Sequence, residues 1–197
     1  MAEDPLNRSA LRCFLALPLH ELFHDELRCI LGTFRRGIPG VRGVEPRQVH
    51  LTLHFFGSIP PSEIDHIDGS MRQVASLYAP LRVALDGVGG FPDLKRPDIL
   101  WLGMEDKAGT LLSFQKALRA AVGQLGFKTE TRPFYPHVTI GRIKKRTGSL
   151  ETLASRIPFR FPSAEKTADH FALYQSHCLP EGVRYEILKT YPFSKKT

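Results

Sequence analysis

Two stretches of the sequence repeat one arrangement of reactive side chains: "HLTLHFFG", His50 to Gly57, and "HVTIGR", His137 to Arg142. In an extended strand, residues i and i+2 point the same way. His50 and Thr52 therefore share one face, while Leu51, Leu53 and Phe55 take the other. His137 and Thr139 are set against Val138 and Ile140 in the same manner. One His-x-Thr between apolar residues would be commonplace; two copies in one chain ask for a common role.

Two imidazoles of ordinary pKa, near 6.5, can hold opposite protonation states at neutral pH, one accepting a proton while the other donates. That is the equipment for opening a phosphodiester without a metal: one histidine activates water and the other protonates the departing oxygen. Thr52 and Thr139 would then hydrogen-bond the non-bridging phosphate oxygens, whose charge can be better met in the transition state. Two other readings stand beside this one. Strict alternation puts His54 on the face of His50, so His50, His54 and His137 could offer three imidazoles to a metal, although neither motif contains an Asp or Glu. Alternatively, both histidines could be satisfied interior residues. His20, His24, His66, His170 and His177 show no paired pattern and read as surface or core residues.

The elements that must position these strands are legible from periodicity. "LRCFLALPL" (residues 11–19) reads as a buried strand, and residues 20–34 as an amphipathic helix with Leu22, Phe23, Leu27, Ile30, Leu31 and Phe34 at steps of three and four. Gly37, Pro39, Gly40 and Gly43 break the chain before the first motif strand. Residues 60–78 then read as a second helix, with Ser62 at its start and Ile64, Ile67, Met71, Val74 and Tyr78 on one face. The second half follows a similar plan. Strands at 81–92 and 98–104 flank a Gly/Pro-rich turn, a helix runs over 111–126 to Gly126, and the second motif strand follows "TRPFYP". Two further strands are expected at 166–178 and 183–193, joined through Pro180 and Gly182. The fold expected is α+β: two similar lobes related by a pseudo-twofold, two antiparallel-rich sheets flanked by helices around a central cleft. Residues 1–10 are expected to form a flexible leader and 11–197 a single bilobal domain.

Composition narrows the classes. The chain has 197 residues, 42% hydrophobic and 24% charged, enough to bury a core without disulfide or metal staples. No apolar run approaches the roughly 20 residues of a membrane-spanning helix, so no membrane association is expected. Three widely spaced cysteines, Cys13, Cys29 and Cys178, suit a reducing cytoplasm better than a disulfide framework. The net charge of +7 favours an anionic partner, nucleic acid being the commonest. "RIKKR" (Arg142–Arg146) could track an RNA backbone or be a solvated turn. Phe14, Phe56 and Tyr135 are candidates for stacking a terminal base, against a core role for each. Nothing calls for an obligate partner, and a monomer is expected.

The sequence resembles the 2H phosphoesterases, and within them the RNA 2′,3′-cyclic phosphodiesterases, also called 2′-5′ RNA ligases. The matching stretches are "RCFLALPL", "HLTLHFFG", "PDILWLG", "HVTIGR" and "LYQSHCLPEGVRYEILKTYPF", in the family's order from Arg12 to Phe193. The resemblance implies a bilobal fold, no metal or other cofactor, and hydrolysis of a terminal 2′,3′-cyclic phosphate on RNA, or of a small cyclic nucleotide, to a 2′-phosphate. His50 then looks like the proton donor to the departing 3′ oxygen and His137 like the acceptor that activates water. Thr52 and Thr139 match the phosphate-binding threonines. Arg142 matches an arginine common in the branch and is assigned to phosphate, which requires the strand to end or bulge before it. Two positions depart from the pattern: His54 stands where the family often has Lys or Arg, giving cationic support that depends on pH, and Gly141 where Ala is usual. Joining of ends through a 2′-5′ linkage is formally possible in the same site. An RNA-end binding protein without turnover is the alternative from another class.

Overall fold

The computed structural model describes residues 10–35, 40–93, 96–143, 163–180 and 182–194. The elements run β1 (Leu11–Pro18), α1 (His24–Arg35), β2 (Val41–Gly43), a short 3₁₀ turn (Pro46–Gln48), β3 (His50–Ile59), α2 (Glu63–Ser76), β4 (Leu81–Phe91), β5 (Ile99–Glu105), α3 (Thr110–Gln124), β6 (His137–Ile143), β7 (Lys166–Ala168), β8 (His170–Leu179) and β9 (Gly182–Pro192). Acidic residues open α1 and α2, where they meet the positive end of the helix dipole. Asp106 caps α3 by accepting hydrogen bonds from the backbone N–H groups of Thr110 (3.0 Å) and Leu112 (3.1 Å).

The two expected sheets are two halves of one antiparallel sheet, ordered β7-β4-β5-β6-β3-β1-β8-β9, with β2 added on β6. The halves meet where the motif strands β3 and β6 pair, through Leu51 and Val138. Each of these residues directly follows its motif histidine. A twofold axis between antiparallel strands passes where equivalent residues face one another, so this pair marks the pseudo-symmetry axis. Outward from it, β1 and β5 occupy equivalent places, then β8 and β4. The chain therefore exchanges strands: β4 follows the first half but pairs with β5, and β8 belongs to the second half but pairs with β1.

One face of the sheet carries the helices. Phe23, Leu27 and Leu31 beside α1, Ile67 and Met71 of α2, and Leu111, Phe114 and Leu118 of α3 close over Leu15, Leu17, Leu51, Leu102, Val138 and Ile140. The other face carries a small second cluster, Phe14, Ala16, Ala172 and Tyr174, at the floor of a cleft. β1 alternates between the two, with Cys13, Leu15 and Leu17 on the helix side and Phe14 and Ala16 on the cleft side.

Three sequence expectations shift. The strand expected over 166–178 breaks at Asp169, because Lys166–Ala168 pairs with β4 in one half while His170 onward pairs with β1 and β9 in the other. The Gly-rich break before the first motif contains β2, which lies on β6 with Gly43 opposite Gly141; a Cβ at Gly141 would stand 3.0 Å from Val41 Cγ1. Finally, alternation fails inside both motif strands. Leu15 pairs with His54 and Ala16 with Thr52, leaving Leu53 as an extra residue; Leu100 pairs with Gly141 and Trp101 with Thr139, leaving Ile140 extra. Each bulge falls three residues after its histidine and reverses the faces beyond it. His54 is thereby turned into the core, 7% exposed, with its ring 4.7 Å from that of Phe56. Phe56 likewise packs on the core, against Phe127.

Burial lowers the pKa of His54, and its Nε2 is buried without a hydrogen-bond partner. The unfolded chain takes up this proton near pH 6.5 and the folded chain only at lower pH, so above 6.5 His54 carries no proton-linked cost and below it the cost to folding grows as pH falls. His54→Leu is expected to stabilise the protein by about 1 kcal/mol at pH 7 and to flatten the loss of stability on acidification. Urea midpoints of both proteins between pH 7.5 and 5 measure this; parallel pH dependences would show that His54 is not held neutral in the core.

Candidate active site in the inter-lobe cleft

Antiparallel pairing at Leu51 and Val138 sets His50 opposite Thr139 and Thr52 opposite His137 on the cleft side of the sheet. The result is a crosswise quartet in which each histidine faces the other motif's threonine across the strand pair. All four side chains line one cleft of about 690 Å³. Both histidines are oriented by the same device: His50 Nδ1 bonds the carbonyl oxygen of Gln48 at 2.7 Å, and His137 Nδ1 bonds that of Tyr135 at 2.7 Å. A carbonyl only accepts, so Nδ1 carries the proton in each ring. Nε2 is left as the atom that exchanges protons with a ligand.

Each ring leans on an aromatic wall contributed by its neighbouring strands. Around His50 these are Phe14 (centroids 4.8 Å apart), Tyr185 (5.0 Å, edge-on) and Tyr174 (6.0 Å). Around His137 they are Phe91 (4.9 Å, edge-on) and Trp101 (6.1 Å), with Trp101 also against Tyr135 (5.1 Å), the residue whose carbonyl tethers His137. Gly89 makes room for this second wall, since a Cβ there would stand 2.0 Å from the Trp101 indole. The wall around His50 is the tighter one: burial lowers its pKa to about 4, the hydrogen bond to Gln48 acting in the opposite direction, so the imidazole is neutral in the empty cleft. Burial also pushes the Tyr174 phenol up to about 12, keeping it protonated.

Cations collect around the same space. Arg12, Arg42, Arg142 and Arg184 line the cleft, with Glu45 the single carboxylate lining it among the described residues. Arg142 reaches it because the bulge at Ile140 turns position five after His137 toward the cleft, as its assignment required. Arg42 stands opposite it on β2. Such a field suits an anionic ligand. Among the described residues, no three His, Cys, Asp or Glu side chains come together in a group able to hold a metal ion, and His54 faces away.

Of the residues singled out from sequence, the structure brings His50, Thr52, His137, Thr139, Arg142 and Phe14 together. Phe14 is 3% exposed and stacked on Tyr174, so it supports the ring of His50 and is not an open stacking surface. His54 and Phe56 belong to the core. Tyr135 is exposed, its ring against Trp101 and outside the cleft lining. Lys144, Lys145 and Arg146 lie outside the described residues. Sequence reasoning missed Phe55, which the first bulge turns into the cleft, and Arg12, Arg42, Arg184 and Tyr185. The signal for Phe55 was present: it occupies the place after His50 that Arg142 occupies after His137.

Comparisons with known proteins bear on the family and the fold. The family model of the 2′-5′ RNA ligase superfamily matches residues 20–177, which include both motif strands. An RNA 2′,3′-cyclic phosphodiesterase of Thermus thermophilus is 32% identical over 92% of this chain and 89% of its own. One of Archaeoglobus fulgidus is 26% identical over 92% of this chain and 99% of its own. A Thermus thermophilus protein of known crystal structure superposes with a TM-score of 0.82 at 29% identity, covering 95% of this chain and all of that one. E. coli LigT shares the fold, with a TM-score of 0.73 at 22% identity, covering 95% of this chain and 99% of that one. With the match running through both histidine strands and the relatives aligned nearly end to end, the chain belongs to the 2′-5′ RNA ligase superfamily.

Proposed function

We propose that this protein hydrolyses the terminal 2′,3′-cyclic phosphate of RNA to a 2′-phosphate, with His50 and His137 as the only proton carriers and no metal. The observation that carries this reading is the crosswise quartet: two Nδ1-tethered imidazoles and two hydroxyls lining one cleft, which arginines also line. Its relatives' name as RNA 2′,3′-cyclic phosphodiesterases supports the substrate class.

The cyclic phosphate sits between the lobes with Thr52 and Thr139 donating to its non-bridging oxygens and Arg142 offsetting their charge. Nε2 of His137 takes a proton from water as the water oxygen bonds to phosphorus. The bond from phosphorus to O3′ breaks, and O3′ takes the proton from Nε2 of His50, leaving the 2′-phosphate. His50 is neutral in the empty cleft. A phosphodiester anion beside Nε2 raises its proton affinity, so the donor acquires its proton together with the substrate. With the 5′-hydroxyl of a second RNA end in place of water, the same two proton transfers join the ends through a 2′-5′ linkage. The same reading takes the protein as a monomer of a reducing cytoplasm, where Cys13, Cys29 and Cys178 remain free thiols.

The decisive assay presents a short RNA ending in a 2′,3′-cyclic phosphate in excess EDTA. The expected product is the 2′-phosphate at an undiminished rate, with His50→Ala and His137→Ala each slower by about 10²–10⁴-fold. Turnover abolished by EDTA and restored by a divalent cation would overturn the metal-free mechanism. Tight binding without product would make the protein an RNA-end binder.

The roles of the two histidines separate on a phosphodiester with an aryl leaving group, whose phenolate needs no proton. His50→Ala is expected to recover most of its lost rate on that substrate and His137→Ala none; the reverse pattern would exchange donor and acceptor. NMR titration of the His50 ring should give a pKa of about 4 in the free protein, rising when inorganic phosphate binds. A value unmoved by phosphate would contradict proton acquisition with the substrate.

A further inference from the structure

Gln48 is bonded to the surroundings of His50 at both of its ends. Its carbonyl oxygen accepts the hydrogen bond from His50 Nδ1, and its carboxamide donates from Nε2 to the carbonyl oxygen of Val183, each at 2.7 Å. The second bond joins residues 135 positions apart: the 3₁₀ turn that leads into β3, and the start of β9, the last strand of the sheet, which is paired with β8 on one side. Two residues beyond Val183, and by alternation on the same face of β9, Tyr185 lays its ring edge-on against His50 (5.0 Å) and Phe14 (5.1 Å). His50, Gln48, Val183 and Tyr185 thus form a closed circuit of contacts, in which the side chain of Gln48 bridges two distant parts of the chain. The backbone of the turn holds itself without that bridge: Gln48 N–H donates to the carbonyl of Glu45 (2.8 Å), and Val49 N–H to that of Pro46 (3.1 Å).

We propose that Gln48 is a positioning residue for the proton donor: its carboxamide straps the β8–β9 hairpin to the turn and keeps the ring of Tyr185 closed on His50. The hydrolytic reading above supplies the role of donor; the strap itself rests on the geometry. Its consequence follows from desolvation. The enclosed imidazole, with its pKa lowered to about 4, stays neutral until an anion arrives. With the hairpin loosened, water reaches the ring and its pKa moves back toward that of a free imidazole. The titratable side chains that share this space are Tyr174, Tyr185, Cys178, Glu45 and His137, together with the arginines lining the cleft. Gln48 carries no charge, so exchanging it for another neutral residue leaves that field in place, and a change at His50 reports the wall.

Gln48→Ala removes the carboxamide, whereas Gln48→Met keeps its bulk without a donor. Both variants are expected to fold, since β9 keeps its ladder to β8 and Arg42 still lies against the hairpin at Gly182, where a Cβ would stand 2.9 Å from Arg42 Nη2. NMR titration of the His50 ring in the free protein is expected to give a pKa about one unit or more above wild type in both, about tenfold in proton affinity. On an RNA end bearing the cyclic phosphate, kcat is expected to fall about 10–100-fold with KM within about twofold of wild type, because the donor is misplaced while the phosphate contacts are intact. An unmoved His50 pKa in both variants would overturn the strap. So would a raised KM at unchanged kcat, which would make Gln48 a substrate contact. A raised pKa in a protein that turns over no cyclic phosphate would leave the strap standing and defeat the hydrolytic reading alone.

Discussion

Everything in the site depends on one antiparallel contact between the halves, Leu51 against Val138. The pair has no chemistry of its own; both side chains are fully buried on the helix side of the sheet. Its effect is geometric: because side chains alternate across a strand, burying these two residues sends their four neighbours, His50, Thr52, His137 and Thr139, to the other face together. A slip of one residue on either strand would put a histidine in the core and a leucine or valine in the cleft. The apolar core thus fixes the register of the polar site, and loss of either buried side chain would be felt there as misplacement of donors and acceptors.

Symmetry of position does not produce symmetry of chemistry. Both histidines are tethered at Nδ1 by a carbonyl two residues earlier, and both rest on aromatic rings. Yet His50 is enclosed by rings from β1, β8 and β9, and that enclosure alone pulls its pKa well below that of a free imidazole. Two copies of one motif can take different parts in a proton transfer because the strands packed behind them differ, and a low dielectric disfavours the charged form of the more enclosed ring.

Much of this was readable in the sequence, and the unreadable part has a definite cause. The motif histidines and threonines, the helices and most of the strands follow from periodicity, since a pattern of period 2 or 3.6 is a local property. Arg142 at the cleft and His54 in the core follow instead from single extra residues, Leu53 and Ile140, whose presence depends on how a neighbouring strand is registered. No pattern within "HLTLHFFG" separates a bulged strand from a straight one. The break at Asp169 escaped for the same reason: "KTADHFALYQSHC" contains no Gly or Pro to mark a break, and only the partners of its two parts, β4 for one and β1 with β9 for the other, reveal that it serves two halves of the sheet.

The exchange of β4 and β8 between the halves bears on how such a chain can come into being. Each half of the sheet is completed by a strand that the other half of the sequence supplies, so a fragment carrying one His-x-Thr motif lacks the neighbour of its own β1 or β5 and leaves that edge open. A free edge of this kind is satisfied by an identical strand from a second molecule. Two such half-length pieces would each complete the other's sheet, forming a symmetric dimer with a cleft on its twofold axis and two identical histidines facing one ligand. In the single chain the two copies differ, with Phe55 at one end of the cleft and Arg142 at the other, so a groove that symmetry would leave indifferent to its ligand's direction has a front and a back.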